Sequence, residues 1–248
     1  MSFEDLFSKQ AEEYAQYRPR YPDALFEYLA SVAPGHSLAW DCATGNGQAA
    51  LSLAPYFERV VGTDASENQI ANAEPHAKIT YRVARAEQTD FEDHSVDLIT
   101  VAQAIHWFDL DAFYAEAKRV LAPGGVLAVW TYYESEIEPA IDRVVSKYQS
   151  EVVGPYWSPR IGLPANHYRT LPFPFEELDA PTFVSETEWD LNDLVGFFQS
   201  WSATQTFIEQ RGYHPIKEIE EELVTAWGSP EQKRRVRWTL PMRVGRVV

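Results

Sequence analysis

The stretch LAWDCATGNGQAALSLA (38–54) decides which fold this sequence predicts. It opens with a short apolar run, LAW (38–40), and passes through Gly45-Asn46-Gly47 directly into a helical pattern. A buried strand that runs through a glycine turn into a helix is typical of a sheet in which strands and helices alternate. Backbone N–H groups and the positive end of the helix dipole meet at such a turn, so the same stretch also predicts a ligand site.

Four more apolar runs follow, and helical patterns lie between several of them. The runs are RVVGTD (59–64), KITYRVA (78–84), VDLITVA (96–102) and VLAVWTYY (126–133), and the helices are predicted from about Ser66, from the cap Asp109 to Leu121, and over roughly 137–150. VDLITVA is apolar rather than alternating, which is typical of a strand covered on both faces in a parallel sheet. The sequence therefore predicts a doubly wound α/β sheet, with strand alternating with helix five times and helices on both faces.

The remaining sequence has weaker patterns. Five prolines mark 154–175 as an irregular segment, 181–189 and 234–240 are predicted strands, and 194–201 and about 216–227 are predicted helices. Since no repeat or linker interrupts the chain, we expect one domain over 1–248. Its parts are amino-terminal helices (1–37), a core that contains the glycine turn (38–133), helical and irregular insertions (134–230) and final strands (231–248).

Composition limits the partners of this chain. Its 248 residues carry a formal charge of −16, which would repel polyphosphate, so nucleic acid and anionic membrane surfaces are not expected partners. The single cysteine, Cys42, and six scattered histidines show no metal-ligand spacing, so no metal is expected. Without a long apolar run or a charged-then-apolar start, we predict a cytoplasmic protein.

Basic residues concentrate in KRRVRWTLPMRVGRVV (233–248). Contact with nucleic acid is one interpretation of this segment. The alternation of arginine and apolar residues in RRVRW favours another, in which two edge strands pair their arginines with the acidic body of the protein.

Two carboxylates near the glycine turn indicate what it binds. Asp64 ends the second predicted strand, where a carboxylate can accept hydrogen bonds from both ribose hydroxyls of a nucleoside. Asp41 ends the first predicted strand, where its negative charge would oppose a pyrophosphate and favour a cationic group. We therefore expect a cofactor that carries an ammonium and a sulfonium. A tight turn that only closes a strand–helix unit is the structural alternative.

Several motifs in this order resemble the class I S-adenosylmethionine-dependent methyltransferases. They are D-x-x-x-G-x-G (Asp41 to Gly47), Asp64, Ala86-Glu87, SVDLITVAQAIHWF (95–108) and LAPGG (121–125). EEYAQYRPRYP (12–22), the HWF step and RWTLPMRVGRV (237–247) are similar to the small-molecule branch that includes trans-aconitate methyltransferase-like proteins. The resemblance implies a Rossmann-like sheet of seven strands with the last antiparallel, and S-adenosylmethionine over the first glycine turn with S-adenosylhomocysteine as product. It makes 38–133 the cofactor-binding core and 134–230 the acceptor-side insertions that cap the acceptor site.

The resemblance also implies a cofactor contact for each matching residue. The residues concerned are Ala43, Gly45 and Gly47 (methionine and ribose), Asp41 (amino group), Asp64 (ribose hydroxyls), Ala65, Ala86 and Glu87 (adenine), Gln103 (methionine) and, in the amino-terminal motif, Tyr14 and Arg18. Arg18 could pair with the cofactor carboxylate. Ala43 departs from the family, which often has glycine there, and this departure bears on how closely the ligand approaches.

Methyl transfer from a sulfonium requires alignment and exclusion of water rather than a nucleophilic side chain. His106 follows the fourth strand, so we expect it to position the acceptor or act as a base, with a hydrogen-bonded structural histidine as the alternative. Trp107 is expected in the pocket with Tyr14. The other residues predicted on the acceptor side are Tyr17, Tyr156, Arg160 and Arg169. The two arginines could bind an acceptor carboxylate, or could simply lie on the surface.

The sequence thus predicts an enzyme that transfers a methyl group from S-adenosylmethionine to a small metabolite, at a carboxylate or hydroxyl oxygen. The expected partner is the small-molecule acceptor, and the protein is expected to be a monomer or a homodimer. Two alternatives are an NAD-dependent oxidoreductase, which the glycine turn alone would suit, and a non-catalytic cofactor-binding sensor or partner protein.

Overall fold

The structure, a computed structural model, describes residues 17–247, so the predicted first helix and Tyr14 lie outside the described residues. The strands are β1 (Leu38–Cys42), β2 (Arg59–Asp64), β3 (Ile79–Val83), β4 (Val96–Ala102), β5 (Leu121–Trp130), β6 (Glu176–Leu178), β7 (Phe183–Trp189), β8 (Arg234–Leu240) and β9 (Met242–Arg246). The helices are α1 (Asp23–Val32), α2 (Gln48–Leu53), α3 (Glu67–Ala71), α4 (Leu110–Val120), α5 (Pro139–Lys147), α6 (Gly162–Ala165), α7 (Leu191–Gln199), α8 (Ser202–Arg211) and α9 (Glu220–Trp227).

Seven strands form the central sheet, in the order β3-β2-β1-β4-β5-β9-β6. The first five run parallel, β9 pairs antiparallel with β5, and β6 pairs antiparallel with β9. The predicted seven-stranded sheet with its last strand antiparallel is therefore confirmed. The strand order reverses between β1 and β4, and the crevice at the carboxyl ends of such a pair is where open α/β sheets bind ligands.

Helices cover both faces of this sheet because its central strands are apolar on both sides. On one face, Phe26 of α1 and Leu53 of α2 belong to a core that also includes α5, α7 and the antiparallel pair of strands β7 and β8. On the other face, Phe113 and Val120 of α4 pack with the segment around Leu171. Asp109 caps α4 as expected, because its carboxylate accepts a hydrogen bond from the N–H of Ala112 at 3.3 Å.

The predicted fivefold alternation of strand and helix is wrong at one place, because no helix lies between β3 and β4. The connecting loop is held instead by Glu116 of α4, whose Oε1 accepts hydrogen bonds from the N–H and hydroxyl of Thr89 at 2.7 and 2.6 Å. The loop sequence, ARAEQTDFEDHS (84–95), has no apolar stripe that a helix could bury.

The last two strands also differ from the prediction of two edge strands. Only β9 joins the central sheet, whereas β8 pairs with β7 as a separate two-stranded sheet. Pro241 lies between them. Val236, Trp238 and Leu240 of β8 are buried, whereas Arg235 and Arg237 are exposed and Arg234 is partly buried. The predicted pairing of arginines with the acidic body is confirmed by three ion pairs. They are Arg234–Glu138, Arg237–Glu186 and Arg243–Glu177.

Short or polar elements were not predicted from the sequence. They are α6, β6 and α8, together with a π-helical turn (Tyr148–Val152) and 3-10 turns at Ile105–Trp107, Gly154–Tyr156, Pro159–Ile161 and Pro215–Glu218. Among residues 17–247, every helix is too short or too polar to cross a bilayer.

Replacing Gly47 by alanine tests the packing beneath the glycine turn. A Cβ added at Gly47, which has φ +90°, would lie 2.1 Å from the Tyr81 hydroxyl oxygen. Gly212 is the control, because it has a similar φ of +78° but nothing lies within 4 Å of its Cβ position. We expect Gly212→Ala to lower the free energy of unfolding by about 1 kcal/mol and Gly47→Ala by roughly 2–4 kcal/mol. Urea denaturation measures both, and equal losses would contradict the close packing of Tyr81 against the turn.

Candidate active site

The glycine turn that follows β1 has an unusual backbone. Ala43, Gly45 and Gly47 have φ values of 55°, 57° and 90°, in the left-handed region that glycine adopts without steric cost. The N–H of Gly47 donates to the carbonyl of Thr44 at 2.9 Å, which closes the turn immediately before α2. Ala43 adopts this conformation despite its methyl group, which costs about 1 kcal/mol. Such strain is found mainly where a ligand is held.

Asp41 lies beneath this turn and is almost completely buried. Its side chain accepts hydrogen bonds from the hydroxyls of Thr44 and Thr100 at 2.5 and 2.7 Å. Burial nevertheless dominates and raises the pKa of Asp41 to about 6, from an ordinary value of 3.8. The carboxylate is therefore ionised at neutral pH and supplies a negative charge at the turn.

Asp64 connects the turn to the start of α3. Its Oδ2 accepts a hydrogen bond from the N–H of Gly45 at 3.0 Å, and its Oδ1 accepts one from the N–H of Ser66 at 2.9 Å. An ionised carboxylate has about four lone-pair sites, so each oxygen can accept a further hydrogen bond while it holds the backbone.

The next two loops contain the other residues predicted to contact adenine. Ala86 is buried, and Glu87 accepts a hydrogen bond from the N–H of Asp109 at 3.1 Å and pairs with Arg85 at 3.3 Å. Ala65 is partly buried beside Ser66. These residues lie at the carboxyl ends of β2 and β3.

Gln103 follows β4 with φ 57°. Its Nε2 donates to the carbonyl of Tyr132 at 2.8 Å, and its Oε1 accepts from the hydroxyl of Thr131 at 2.6 Å. Both ends of the side-chain amide are thus tied to the end of β5, which fixes the position of Gln103.

A first cavity, the turn cavity, opens at the glycine turn. Its walls are Arg18, Tyr21, Asp41, Ala43, Thr44, Gly45, Asn46, Gln48, Ala49, Ala102 and Tyr132. Among these described residues, Asp41 and Arg18 are the two that carry charge. An anion and a cation in one cavity match the ammonium and carboxylate of an α-amino acid. Of the residues predicted to bind cofactor, Gly47, Asp64, Ala65, Ala86, Glu87 and Gln103 lie outside these walls.

A second cavity, the aromatic cavity, lies next to it. Its walls are Arg18, Gln103, His106, Trp107, Tyr132, Tyr133, Gln149, Trp157, Ile161, Pro164, Phe197, Trp201 and Ser202. Arg18 and Tyr132 line both cavities. The Nη1 of Arg18 donates to the hydroxyl of Tyr132 at 3.1 Å, and its Nη2 donates to the carbonyl of Ser200 at 2.9 Å.

His106 lies in the wall of the aromatic cavity and is 6% exposed. Its Nδ1 lies 3.0 Å from the hydroxyl oxygen of Tyr168. Burial, and secondarily the positive charge of Arg160, lower the pKa of His106 to about 3. The imidazole is therefore neutral at physiological pH, so it can accept a proton but adds no charge to the cavity.

Of the residues predicted on the acceptor side, Trp107 lies in the cavity wall with His106. The ring of Tyr17 packs against Gly196, where an added Cβ would lie 2.6 Å from the Tyr17 Cζ. Tyr156 packs against the ring of Phe207, with centroids 4.9 Å apart. These two residues lie outside both cavities.

The two predicted arginines also lie outside the walls of both cavities. Arg160 donates a hydrogen bond from Nη1 to the carbonyl of Trp107 at 2.8 Å, and Arg169 is exposed. Trp157 belongs to the irregular segment that was expected to cover the acceptor site, and it does line the aromatic cavity. The sequence reasoning missed the wall residues Phe197 and Trp201. Their aromatic character was the available signal, but it did not distinguish a cavity wall from a core.

Known proteins resemble this chain over most of its length. The family described as a methyltransferase domain matches residues 40–129. A Dictyostelium discoideum protein described as a methyltransferase is 37% identical, covering 91% of this chain and 87% of its own. A solved structure from Anaeromyxobacter dehalogenans, described as a type II methyltransferase, is 44% identical with a TM-score of 0.86, covering 93% of this chain and 98% of its own.

A Saccharomyces cerevisiae protein described as an S-adenosylmethionine-dependent methyltransferase is 30% identical, covering 51% of this chain and 47% of its own. The family match spans β1 to β5, and therefore includes the glycine turn, Asp41 and Asp64. The sheet order, the turn and the similarity over nearly the whole chain agree. The chain belongs to the class I S-adenosylmethionine-dependent methyltransferases.

Proposed function

We propose that this protein transfers a methyl group from S-adenosylmethionine to an oxygen atom of a small molecule. The proposal rests on the turn cavity, whose walls contain both the anionic Asp41 and the cationic Arg18. A second cavity lies next to it and shares Arg18 and Tyr132 with it. The first cavity has the charges of an amino-acid binding site. The second provides a neighbouring space for an acceptor.

In this proposal each polar group around the turn has one role in binding. Asp41 holds the ammonium of the cofactor, and Arg18 holds its carboxylate. Asp64 accepts hydrogen bonds from the ribose hydroxyls while it fixes Gly45. Ala65, Ala86 and Glu87 flank the adenine, and Ala43, Gly45, Gly47 and Gln103 border the remainder. The bound cofactor supplies a methyl group activated by a positively charged sulfur.

The protein itself then has to align the acceptor and exclude water. The aromatic cavity suits both tasks, because six large aromatic rings line it and it lies beside the turn cavity. His106 lies in its wall, and a neutral imidazole there can accept a hydrogen bond from the acceptor hydroxyl or take its proton. The resemblance to the trans-aconitate methyltransferase-like branch supports a small metabolite, with either a carboxylate or a hydroxyl oxygen as acceptor.

Two other functions make different predictions. An NAD-dependent oxidoreductase would have to place a pyrophosphate beside the ionised Asp41, which is electrostatically unfavourable. A sensor would bind the cofactor without transferring its methyl group.

Calorimetric titration with S-adenosylhomocysteine and with NAD separates the two enzyme functions. We expect S-adenosylhomocysteine to bind with a micromolar or lower Kd, and NAD to show no saturable binding. No binding of S-adenosylhomocysteine would contradict the proposal. Cofactor binding without methyl transfer to any member of a broad acceptor panel would favour the sensor.

Asp64→Asn is expected to weaken binding of S-adenosylhomocysteine by roughly 10- to 100-fold, because hydrogen bonds to a charged acceptor are worth about 1.5–3 kcal/mol. The matched control is Asp111→Asn, since Asp111 is an exposed carboxylate on α4. The same titration measures both variants. Equal affinities of the Asp64 variant and the unaltered protein would exclude Asp64 from the site.

Cofactor affinity should also depend on the ionisation of Asp41. Because burial raises its pKa to about 6, the carboxyl group of the free protein becomes protonated as the pH falls below that value. We expect the Kd of S-adenosylhomocysteine to be nearly constant above about pH 7 and to rise by up to about tenfold per pH unit below about pH 6. Asp41→Asn should weaken binding at neutral pH and remove this dependence. A variant that keeps the unaltered pH profile would contradict the assignment.

A further inference from the structure

The walls of the aromatic cavity indicate the shape of its ligand. Six of its thirteen wall residues are Trp, Tyr or Phe. The rings of Trp157 and Trp201 lie 5.5 Å apart, and Phe197 meets Trp201 edge-on at 5.4 Å. Aromatic walls of this kind gain most from a flat apolar molecule, which can stack on one ring and meet the edge of another.

The charges around this cavity argue against an anionic ligand. Among the described wall residues, Arg18 is the one with a permanent charge. Its guanidinium donates to Tyr132 and Ser200 and also lines the turn cavity, where the proposed function assigns it to the cofactor carboxylate. A carboxylate buried in the aromatic cavity would therefore have no cation of its own, and burying an unpaired carboxylate is strongly unfavourable.

The other cationic groups nearby do not change this conclusion. Arg160 and Arg169 lie outside the wall, and the Arg160 guanidinium donates to the backbone of Trp107. His106 is in the wall, but burial keeps its imidazole neutral. The cavity thus has polar groups for orientation without a positive charge of its own.

His106 is the polar group best placed to orient a ligand hydroxyl. Its Nδ1 contacts the hydroxyl of Tyr168, a side chain that is 1% exposed, so its Nε2 is the nitrogen left for a ligand. Tyr168 itself has φ 57°, and its backbone carbonyl accepts a hydrogen bond from Arg243 of β9 at 3.4 Å. His106 is therefore held by a buried neighbour whose backbone is hydrogen-bonded to a strand of the central sheet. Gln103, by contrast, uses both ends of its amide within the protein.

We propose that the methyl acceptor is an uncharged, planar aromatic molecule whose hydroxyl group lies at the Nε2 of His106. This inference rests on the proposed function and narrows its two oxygen acceptors to the hydroxyl. During transfer the acceptor oxygen forms a bond to the methyl carbon, the carbon–sulfur bond breaks and its electron pair stays on sulfur. The hydroxyl proton passes to Nε2 and then to water. That proton becomes strongly acidic as its oxygen is methylated, so a weakly basic imidazole is sufficient.

A matched set of probes tests the acceptor class. We expect 2-naphthol to quench tryptophan fluorescence of the protein saturated with S-adenosylhomocysteine, and to bind at least tenfold more tightly than 2-naphthoate or the saturated alcohol decahydro-2-naphthol. When each of the three probes is incubated with radiolabelled S-adenosylmethionine, we expect the protein to methylate 2-naphthol and neither of the other two. Preference for the carboxylate, equal binding of the saturated alcohol, or no binding of 2-naphthol would overturn the inference.

Two neighbouring aromatic residues provide a matched pair of variants. Trp157→Leu removes a ring from the cavity wall and should weaken 2-naphthol binding at least tenfold, whereas Tyr156→Leu changes a ring that packs on Phe207 and should leave it within twofold. Arg169→Ala should likewise have no effect. A larger loss from Arg169→Ala than from Trp157→Leu would support a carboxylate acceptor instead.

The titration with S-adenosylhomocysteine is repeated on each protein to separate the two claims. If S-adenosylhomocysteine does not bind the unaltered protein, the proposed function fails. If it binds and the carboxylate probe is preferred, the proposed function stands and the acceptor class is wrong. We expect all three variants to keep the cofactor affinity of the unaltered protein.

Discussion

The buried carboxylate of Asp41 is the interaction on which the site depends. It accepts hydrogen bonds from Thr44 on the glycine turn and from Thr100 on β4, so it joins the first strand–helix unit to the neighbouring strand where the sheet order reverses. Burial raises the pKa of Asp41 from 3.8 to about 6, which corresponds to roughly 3 kcal/mol of unfavourable free energy for the ionised form. Two hydroxyl donors do not offset this cost. The protein therefore retains a charge that weakens its own stability at neutral pH, which is expected where the charge serves a ligand.

The two cavities derive from different parts of the chain. The turn cavity is built mostly from β1, the turn and α2, which are close in sequence. The aromatic cavity combines residues that follow β4 and β5 with the irregular segment near Trp157 and the helices α7 and α8. Arg18 and Tyr132 lie in both. The proposed cofactor and acceptor sites are thus adjacent in space but separate in sequence, so the acceptor side can vary while the strand–turn–helix unit stays the same.

The sequence predicts the turn cavity better than the aromatic cavity, because the residues of the turn cavity are close together in the chain. The positions of Asp41 and Asp64 at strand ends were predictable because a strand and the turn that follows it are determined locally. The acceptor side was not, since Tyr132, Trp157 and Trp201 meet only after the chain has folded, and an aromatic residue suits a core as well as a cavity. Arg160 and Arg169 were predicted from their charge, yet charged side chains are mostly exposed unless they are paired. The strand β6 was missed because its three residues, Glu176–Leu178, carry no apolar pattern.

We propose that Asp41 and Arg18 together recognise the amino-acid end of the cofactor. Comparing the affinities of S-adenosylhomocysteine and 5′-methylthioadenosine, which lacks that end, measures this recognition directly. We expect the unaltered protein to prefer S-adenosylhomocysteine by at least 100-fold. Arg18→Gln should remove most of this preference and change the affinity for 5′-methylthioadenosine little. Equal affinities for the two ligands in the unaltered protein would contradict it.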